Sequence, residues 1–377
     1  MSIGSSHFPT KDQPPPPKRT RLASDIRIRA ALSGVLVLVT LGAIFLVANA
    51  EMAPPRSRLV AADKQTPIPP GVTATASPTG TDTSAPPAPA ADGAGSGSPA
   101  LAAYKGLGAW VSLYDFALAP AELSPAQATA AMAAHGVQTL YLQTGRWNLP
   151  PGVEDPSATS QFIDDAHSHG MKVVGWYLPG FANIAQDIAN SKAVLSFKTP
   201  SGQHFDGLAL DIEDKSNFGY SVFGFDSAVS TFADKLRAAV GPNQVLGAIT
   251  LDAVNNERAP SAWAGFPWPE IGKDFDVVLP MAYWSVTKPS SDCTSIQDDA
   301  GSYIRNVYSL TTSLMGRTKP MVIVGGVGDC DTLSEVQEYV AAAKSLGTLG
   351  ASIYSYETVE KNPAGSKMWA ALQSARS

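Results

Sequence analysis

From Leu107 onward the chain repeats one unit, a short run of apolar, β-branched and aromatic residues followed by a stretch of helical pattern. Eight runs are legible: LGAWVSLY (107–114), VQTLYLQT (137–144), KVVGWYLPG (172–180), GLALDIE (207–213), VLGAITLD (245–252), FDVVLPMAYW (275–284), PMVIVGGVG (320–328) and GASIYSYET (350–358). Such alternation is the mark of βα units around a parallel sheet. Eight units close a (β/α)₈ TIM barrel, and residues 104–377 have the length that this fold needs. In the segment SPAQATAAMAAHG, Ser124 stands as the cap, Pro125 opens the first turn and Gly136 stops the helix. A hydrophobic share of 44% supports a large core, and the formal net charge of −6 offers nothing to nucleic acid.

The residues before this domain read differently. Ala30 to Ala50 form an uncharged apolar run about long enough to cross a bilayer as a single transmembrane helix. Residues 1–29 are a basic tail carrying Lys11, Lys18, Arg19, Arg21, Arg27 and Arg29, which places the N-terminus in the cytoplasm and the C-terminal domain outside. The competing reading is a signal peptide cleaved after Ala50, since Ala48-Asn49-Ala50 has the small-x-small form. Either way the domain is exported. Residues 51–103, rich in Pro, Ala, Ser, Thr and Gly, lack the large apolar side chains that offset ordering entropy, so they read as a disordered linker.

Polar and aromatic residues gather at the C-terminal ends of the eight runs: Asp115, Arg146, Trp147, Tyr177, Asp211, Glu213, Asp252, Tyr283, Trp284, Tyr354, Tyr356 and Glu357. That end of a TIM barrel is where active sites are built. Polar residues also end strands wherever loops are wet. The abundance of Trp and Tyr favours a sugar cleft, because flat rings stack on sugar faces while their polar edges hydrogen-bond. Trp147, Tyr177, Asp252, Trp284, Tyr354 and Tyr356 are therefore expected to bind substrate.

The fourth run carries the chemistry. Side chains on a strand alternate faces, so Gly207, Ala209, Asp211 and Glu213 share one face and Leu208, Leu210 and Ile212 the other. The leucine face must pack on helices, which turns the carboxylates into the barrel near its mouth. Two acids so close repel, and one is expected to hold a proton near neutral pH. A carboxyl in that state can protonate a glycosidic oxygen.

Asp206-Gly207-Leu208-Ala209-Leu210-Asp211-Ile212-Glu213 resembles the D-G-x-D-x-D-x-E motif of family 18 glycoside hydrolases, the chitinases and related endoglycosidases. Met281-Ala282-Tyr283-Trp284 is similar to that family's M-x-Y-D, and Tyr354 falls where the family usually places a Trp beneath the cleaved sugar. The resemblance implies Glu213 as general acid, Asp211 as the residue that orients the substrate's acetamide and shares a proton with Glu213, and Tyr283 as a hydrogen-bond partner of the attacking acetamide. Asp206, the motif's first acid, joins the substrate-binding set. The substrate implied is a polysaccharide or other glycan with an N-acetylated sugar, cleaved with substrate assistance and no enzymic nucleophile. Three positions depart from the pattern: Ala209 replaces an acid, Trp284 an Asp and Tyr354 a Trp.

Rival readings stand beside this one. A retaining hydrolase would need a second carboxylate, for which Asp252 or Glu357 are candidates. A lysozyme-type peptidoglycan hydrolase also carries an L-D-x-E strand. A non-catalytic carbohydrate-binding barrel fits the loss at Ala209, and Asp211 and Glu213 could instead form an internal ion pair with Arg146 or Lys172. Cys293 and Cys330 follow the sixth and seventh runs at the same end, in a compartment that permits oxidation, so a disulfide is expected. Neither cysteine has metal-ligand spacing, and no metal or cofactor is expected.

Overall fold

A computed structural model describes residues 101–118, 123–149, 151–219, 222–258, 265–287, 293–295 and 299–375. Each predicted run corresponds to one barrel strand: β1 (Gly106–Val111), β2 (Thr139–Arg146), β3 (Lys172–Leu178), β4 (Gly207–Ile212), β5 (Leu246–Leu251), β6 (Val277–Ala282), β9 (Val322–Val327) and β10 (Gly350–Tyr354). They close in the order β1-β10-β9-β6-β5-β4-β3-β2, and every pairing is parallel. A separate antiparallel hairpin, β7 (Ser285–Thr287) and β8 (Cys293–Ser295), stands on the mouth side between β6 and β9.

The helices are α1 (Leu113–Phe116), α2 (Pro125–Ala134), α3 (Pro156–Ser168), α4 (Ile184–Ser196), α5 (Val222–Val240), α6 (Ala253–Arg258), α7 (Trp268–Asp274), α8 (Ala300–Met315), α9 (Leu333–Leu346), α10 (Tyr356–Lys361) and α11 (Gly365–Gln373). α2 begins with Pro125 behind an extended Ser124, as the sequence implies, and Gly136 past its end has φ +73°. That left-handed angle is what glycine supplies to a helix stop.

Two apolar layers result from strand alternation. Leu208, Leu210 and Ile212 pack outward in the large core between sheet and helices, whereas Ala209 lies inside the barrel with Trp110, Tyr141, Val174, Trp176 and Leu279. The N-terminal turn Leu101–Tyr104 plugs the barrel's base. Tyr104 donates its hydroxyl to the Leu208 carbonyl at 2.7 Å. A Cβ on Gly247 would stand 3.0 Å from the Tyr104 ring and one on Gly207 3.1 Å from its hydroxyl, so the small residues low on β4 and β5 make room for this plug. Leu101 and Ala103, assigned above to the linker, are thus buried parts of the barrel. Among the described residues no helix is long and apolar enough to cross a membrane. The expected span at 30–50 and most of the expected linker lie outside the described residues.

Candidate active site

At the C-terminal mouth of the barrel, Trp110, Trp176, Asp211, Ile249, Met281, Tyr283, Val324 and Tyr354 line an opening of about 230 Å³. These residues come from seven strands and their ends, which is why only the closed barrel assembles them. The Asp211 side chain projects inward, as alternation along β4 requires, and its Oδ1 is buried without a hydrogen-bond partner. Burial raises its pKa well above the usual carboxylate range, the charges of Glu213 and Asp214 add to the rise, and Arg146 opposes it.

Glu213 lies just past the end of β4. Burial, with help from Asp214 and against Arg146, pushes its carboxyl up to about 7. The two acids therefore hold a proton near neutrality for the reason the sequence suggested: carboxyls taken from water beside like charge resist ionising. Tyr283 and Tyr354 face each other with ring centroids 6.1 Å apart. Burial raises both phenols, and the charges of Asp211 and Glu213 act on each of them.

A second opening, of about 440 Å³, lies beside the first acid cluster and is lined by Trp147, Gly180, Ala182, Asn183, Gln186, Asp187 and Asn217. The indole Nε1 of Trp147 donates to Asp214 Oδ2 at 2.8 Å. Across the mouth, burial and the neighbouring Glu357 raise Asp115 to about 6, although its Oδ2 accepts the Ser112 N–H at 2.8 Å. Arg146 donates to the Tyr114 hydroxyl at 2.5 Å, while its buried Nε has no partner.

The structure gathers Asp211, Glu213, Tyr283, Tyr354 and Trp147 at the mouth and disperses the other expected substrate contacts. Asp206 precedes β4 at the barrel's base, 2.7 Å from His167 Nε2 and 2.8 Å from Lys172 Nζ, and accepts the Val173 N–H at 2.8 Å. A strand's length separates it from the mouth, so its match to the motif carries no substrate contact. Tyr177 faces outward from β3, donates to Asp187 at 2.8 Å and accepts from Asn190 at 2.8 Å. Its neighbour Trp176 is the residue that enters the barrel.

Trp284 is wholly buried between Gly325 and Tyr339 in the outer core, and Tyr356 is buried there against Trp369. Asp252 caps α6, accepting the Asn255 N–H at 2.8 Å, and does not line the opening over Asp211. Glu357 is held by Lys361 at 2.6 Å. Lys172 pairs with Asp206, and among the described residues Arg146 makes no ion pair with either mouth acid, so the internal ion-pair reading fails.

Sequence reasoning missed Trp110 and Trp176. Both lie on strands that are apolar on both faces, where alternation gives a period but no phase. Pairing supplies the phase: Trp176 stands opposite Ala209 on β4, and Ala209 faces inward. The space beneath Asp211 is filled by Trp110, Tyr141 and Trp176 around Ala209, with Trp110 stacked on Tyr141 at 4.3 Å. An apolar floor thus stands where the family motif has its middle acid. The expected disulfide is formed: Cys293 on β8 is bonded to Cys330 after β9, tying the hairpin to the rim.

No family profile and no curated protein matches the chain. Solved structures do. The spore cortex-lytic enzyme of Bacillus cereus superposes with a TM-score of 0.51 at 11% identity over 71% of this chain and 74% of that one. The endo-1,4-β-mannanase of Rhizomucor miehei gives 0.50 at 9% identity over 67% and 86%. A family 18 chitinase from the cycad Cycas revoluta gives 0.46 at 14% identity over 70% and 98%. At these identities the likeness is one of fold, and the first two show the (β/α)₈ barrel.

Proposed function

We propose that the barrel is a glycoside hydrolase that cleaves a glycan containing an N-acetylated sugar, with Glu213 as general acid. The observation that carries this reading is a carboxyl raised to about 7 beside a second proton-holding carboxyl, Asp211, in an aromatic-lined opening at the barrel mouth. Glu213 gives its proton to the glycosidic oxygen as the bond to the anomeric carbon breaks. The substrate's acetamide oxygen attacks that carbon, oriented by Asp211 and hydrogen-bonded by Tyr283, and Tyr354 lies under the sugar. Water then opens the cyclic intermediate while Glu213 takes back a proton, so the carboxyl ends as it began.

Residues 1–100 complete the reading: the apolar run 30–50 anchors the protein as a single pass, and the linker holds the barrel outside the membrane. Membrane fractionation and N-terminal sequencing of the mature chain test this, and recovery as a soluble chain starting at Glu51 would replace the anchor with a signal peptide.

One observation favours a second reading. The apolar surroundings of Ala209 remove the acid that would relay a proton beneath Asp211, which suits a carbohydrate-binding barrel without turnover. The likeness to a spore cortex-lytic enzyme keeps the bacterial cortex polymer among the substrates to be tried. Hydrolysis of fluorogenic N-acetylglucosamine oligomers and labelled peptidoglycan by the full chain, with Glu213→Gln alongside, separates the readings. Turnover abolished by the substitution supports the hydrolase; binding without turnover in the parent protein supports the second reading.

A further inference from the structure

Near its C-terminal end β2 carries one residue more than β3 can match. The register runs from Gln143 opposite Trp176 to Gly145 opposite Tyr177 and Arg146 opposite Leu178, so a bulge falls at Thr144. On a regular strand Tyr141, Gln143 and Gly145 would share the inward face, and Arg146 would point out among the helices. The bulge resets the alternation. It sets Arg146 beside Leu178, on the face of β3 from which Trp176 enters the barrel. A Cβ on Gly145 would lie 2.8 Å from the Gly152 carbonyl oxygen, so the shift needs a glycine there.

The re-aimed guanidinium meets a mouth lined with acids. Asp211, Glu213 and Asp214 come from β4 and its end, Asp115 and Glu357 from the ends of β1 and β10, and the phenols of Tyr283 and Tyr354 lie close enough to feel the Asp211 and Glu213 charges. The residues that follow Arg146 and Glu213 are bonded to each other, Trp147 Nε1 donating to Asp214 Oδ2 at 2.8 Å. Among the described residues Arg146 is the cation that acts on both Asp211 and Glu213, and Lys215 acts on Asp226 instead. Yet Arg146 pairs with neither acid. Its Nη1 donates to the Tyr114 hydroxyl at 2.5 Å, and its Nε is buried with no partner. An N–H sealed from solvent is out of a dissolved ligand's reach and costly to leave unpaired, so its partner has to come from the protein.

While both acids hold protons, the cation has no anion to meet. Proton donation changes this: Glu213 becomes a carboxylate beside Asp214, in a place where an unpaired charge is costly. We propose that Arg146 is a positioning residue held in reserve by Tyr114, and that it moves from the Tyr114 hydroxyl to Glu213 when that acid gives up its proton. This rests on the reading of Glu213 as general acid. The guanidinium keeps its own protons throughout. A carboxylate is a stronger acceptor than a phenol, so the exchange runs towards Glu213 once it is ionised and back once it is protonated.

The test uses the full chain with Arg146→Gln, Arg146→Lys and Tyr114→Phe, each with Glu213 intact and with Glu213→Gln. On fluorogenic N-acetylglucosamine oligomers and labelled peptidoglycan, Arg146→Gln should lower kcat about tenfold with KM within about twofold, and should move the upper half-point of kcat/KM from near 7 up by about one pH unit, since a carboxyl without its cation keeps its proton longer. Arg146→Lys keeps the charge and should restore most of the half-point. Tyr114→Phe releases Arg146 onto Glu213 and should move it down.

The pairing is also read without turnover. At pH 5.5 Glu213 is protonated and gains nothing from the cation, whereas at pH 9 it is ionised. Arg146→Gln should therefore lower the melting temperature by about 2–4 °C more at pH 9 than at pH 5.5, and Glu213→Gln should remove at least about half of that excess. An equal loss at both pH values, or a half-point that Arg146→Gln leaves in place, overturns the proposal. An excess untouched by Glu213→Gln assigns the cation to Asp211 and overturns it too. An excess that needs Glu213 in a protein without turnover overturns the hydrolase and leaves the pairing standing.

Discussion

The two ends of β4 carry the same chemical group in opposite states. At the base, burial alone would raise Asp206, but hydrogen bonds from His167, Lys172 and the Val173 amide outweigh it and hold the carboxyl down at about 2. At the mouth, Asp211 and Glu213 have no cation in hydrogen-bond contact among the described residues; burial raises both, Asp214 adds to the rise in each, and Glu213 adds to that of Asp211. One strand thus staples the barrel at one end and stores a proton at the other. The division follows the fold: in (β/α)₈ barrels the N-terminal face carries stability and the C-terminal face carries chemistry. An acid's function is set by its partners.

If that contrast is right, Glu213→Gln should lower the hydrolysis rate at pH 6 by about 10²–10⁴-fold in initial-rate assays, while Asp206→Asn should leave the rate within about twofold because it touches no part of the mouth. Equal losses for the two would erase the distinction. The disulfide at the rim is the next largest effect. Cys330→Ser should cost up to about 4 kcal/mol in urea unfolding, by the loop-entropy estimate for a separation of 37 residues.

Asp206→Asn should cost about 1–3 kcal/mol, since it removes the acceptor of several charge-assisted bonds. The sign of its pH dependence follows from the two partners. Asp206 is depressed, so its contribution is present above its unfolded value and fades as pH falls towards 2. His167 is raised, chiefly by its bond to Asp206, so its contribution is present below its unfolded value and fades as pH rises through the raised one. The penalty in melting temperature should therefore be larger at pH 5.5 than at pH 8.5.

Glu213 runs the other way: a raised carboxyl costs nothing below its unfolded value, weighs increasingly against the folded state as pH rises from there to about 7, and weighs in full above that. Glu213→Gln should raise the melting temperature at pH 8 by at least about 2 °C. The smallest effect sought is in the pH profile, where kcat/KM should fall through a half-point near 7 as Glu213 loses its proton; a profile flat to pH 9 would give the proton to another group.

Much of the fold was readable from the sequence because its signals are local. Each of the eight strands overlaps its predicted run; β1 starts one residue before its run and β2 ends two residues past its own, while runs such as 107–114 and 350–358 overshoot at their C-terminal ends because aromatic rim residues resemble strand residues in composition. The phase of β4 was also readable, since Leu208, Leu210 and Ile212 contrast with Gly207, Ala209 and Asp211. On β3 no such contrast exists between Trp176 and Tyr177, and the wrong ring was chosen. Trp284 and Tyr356 were misplaced for a related reason: an aromatic next to a loop serves a cleft or a core equally well until its neighbours, here Gly325 with Tyr339 and Trp369, are known.

What the sequence determined by itself is the count of units, the inward face of β4, the pair of acids on it and the pairing of Cys293 with Cys330. The first three follow from periodicity, spacing and repulsion between near neighbours in the chain, and the pairing from two cysteines placed at the same end of neighbouring strands. Only the tertiary structure decided that Asp206 faces away from the chemistry, that Asp252 caps a helix, and that Trp147 meets Asp214 across 67 positions of sequence to form a second pocket. Those outcomes depend on which residues from distant strands share an end of the barrel, and closure of the sheet fixes that geometry after the local pattern has been spent.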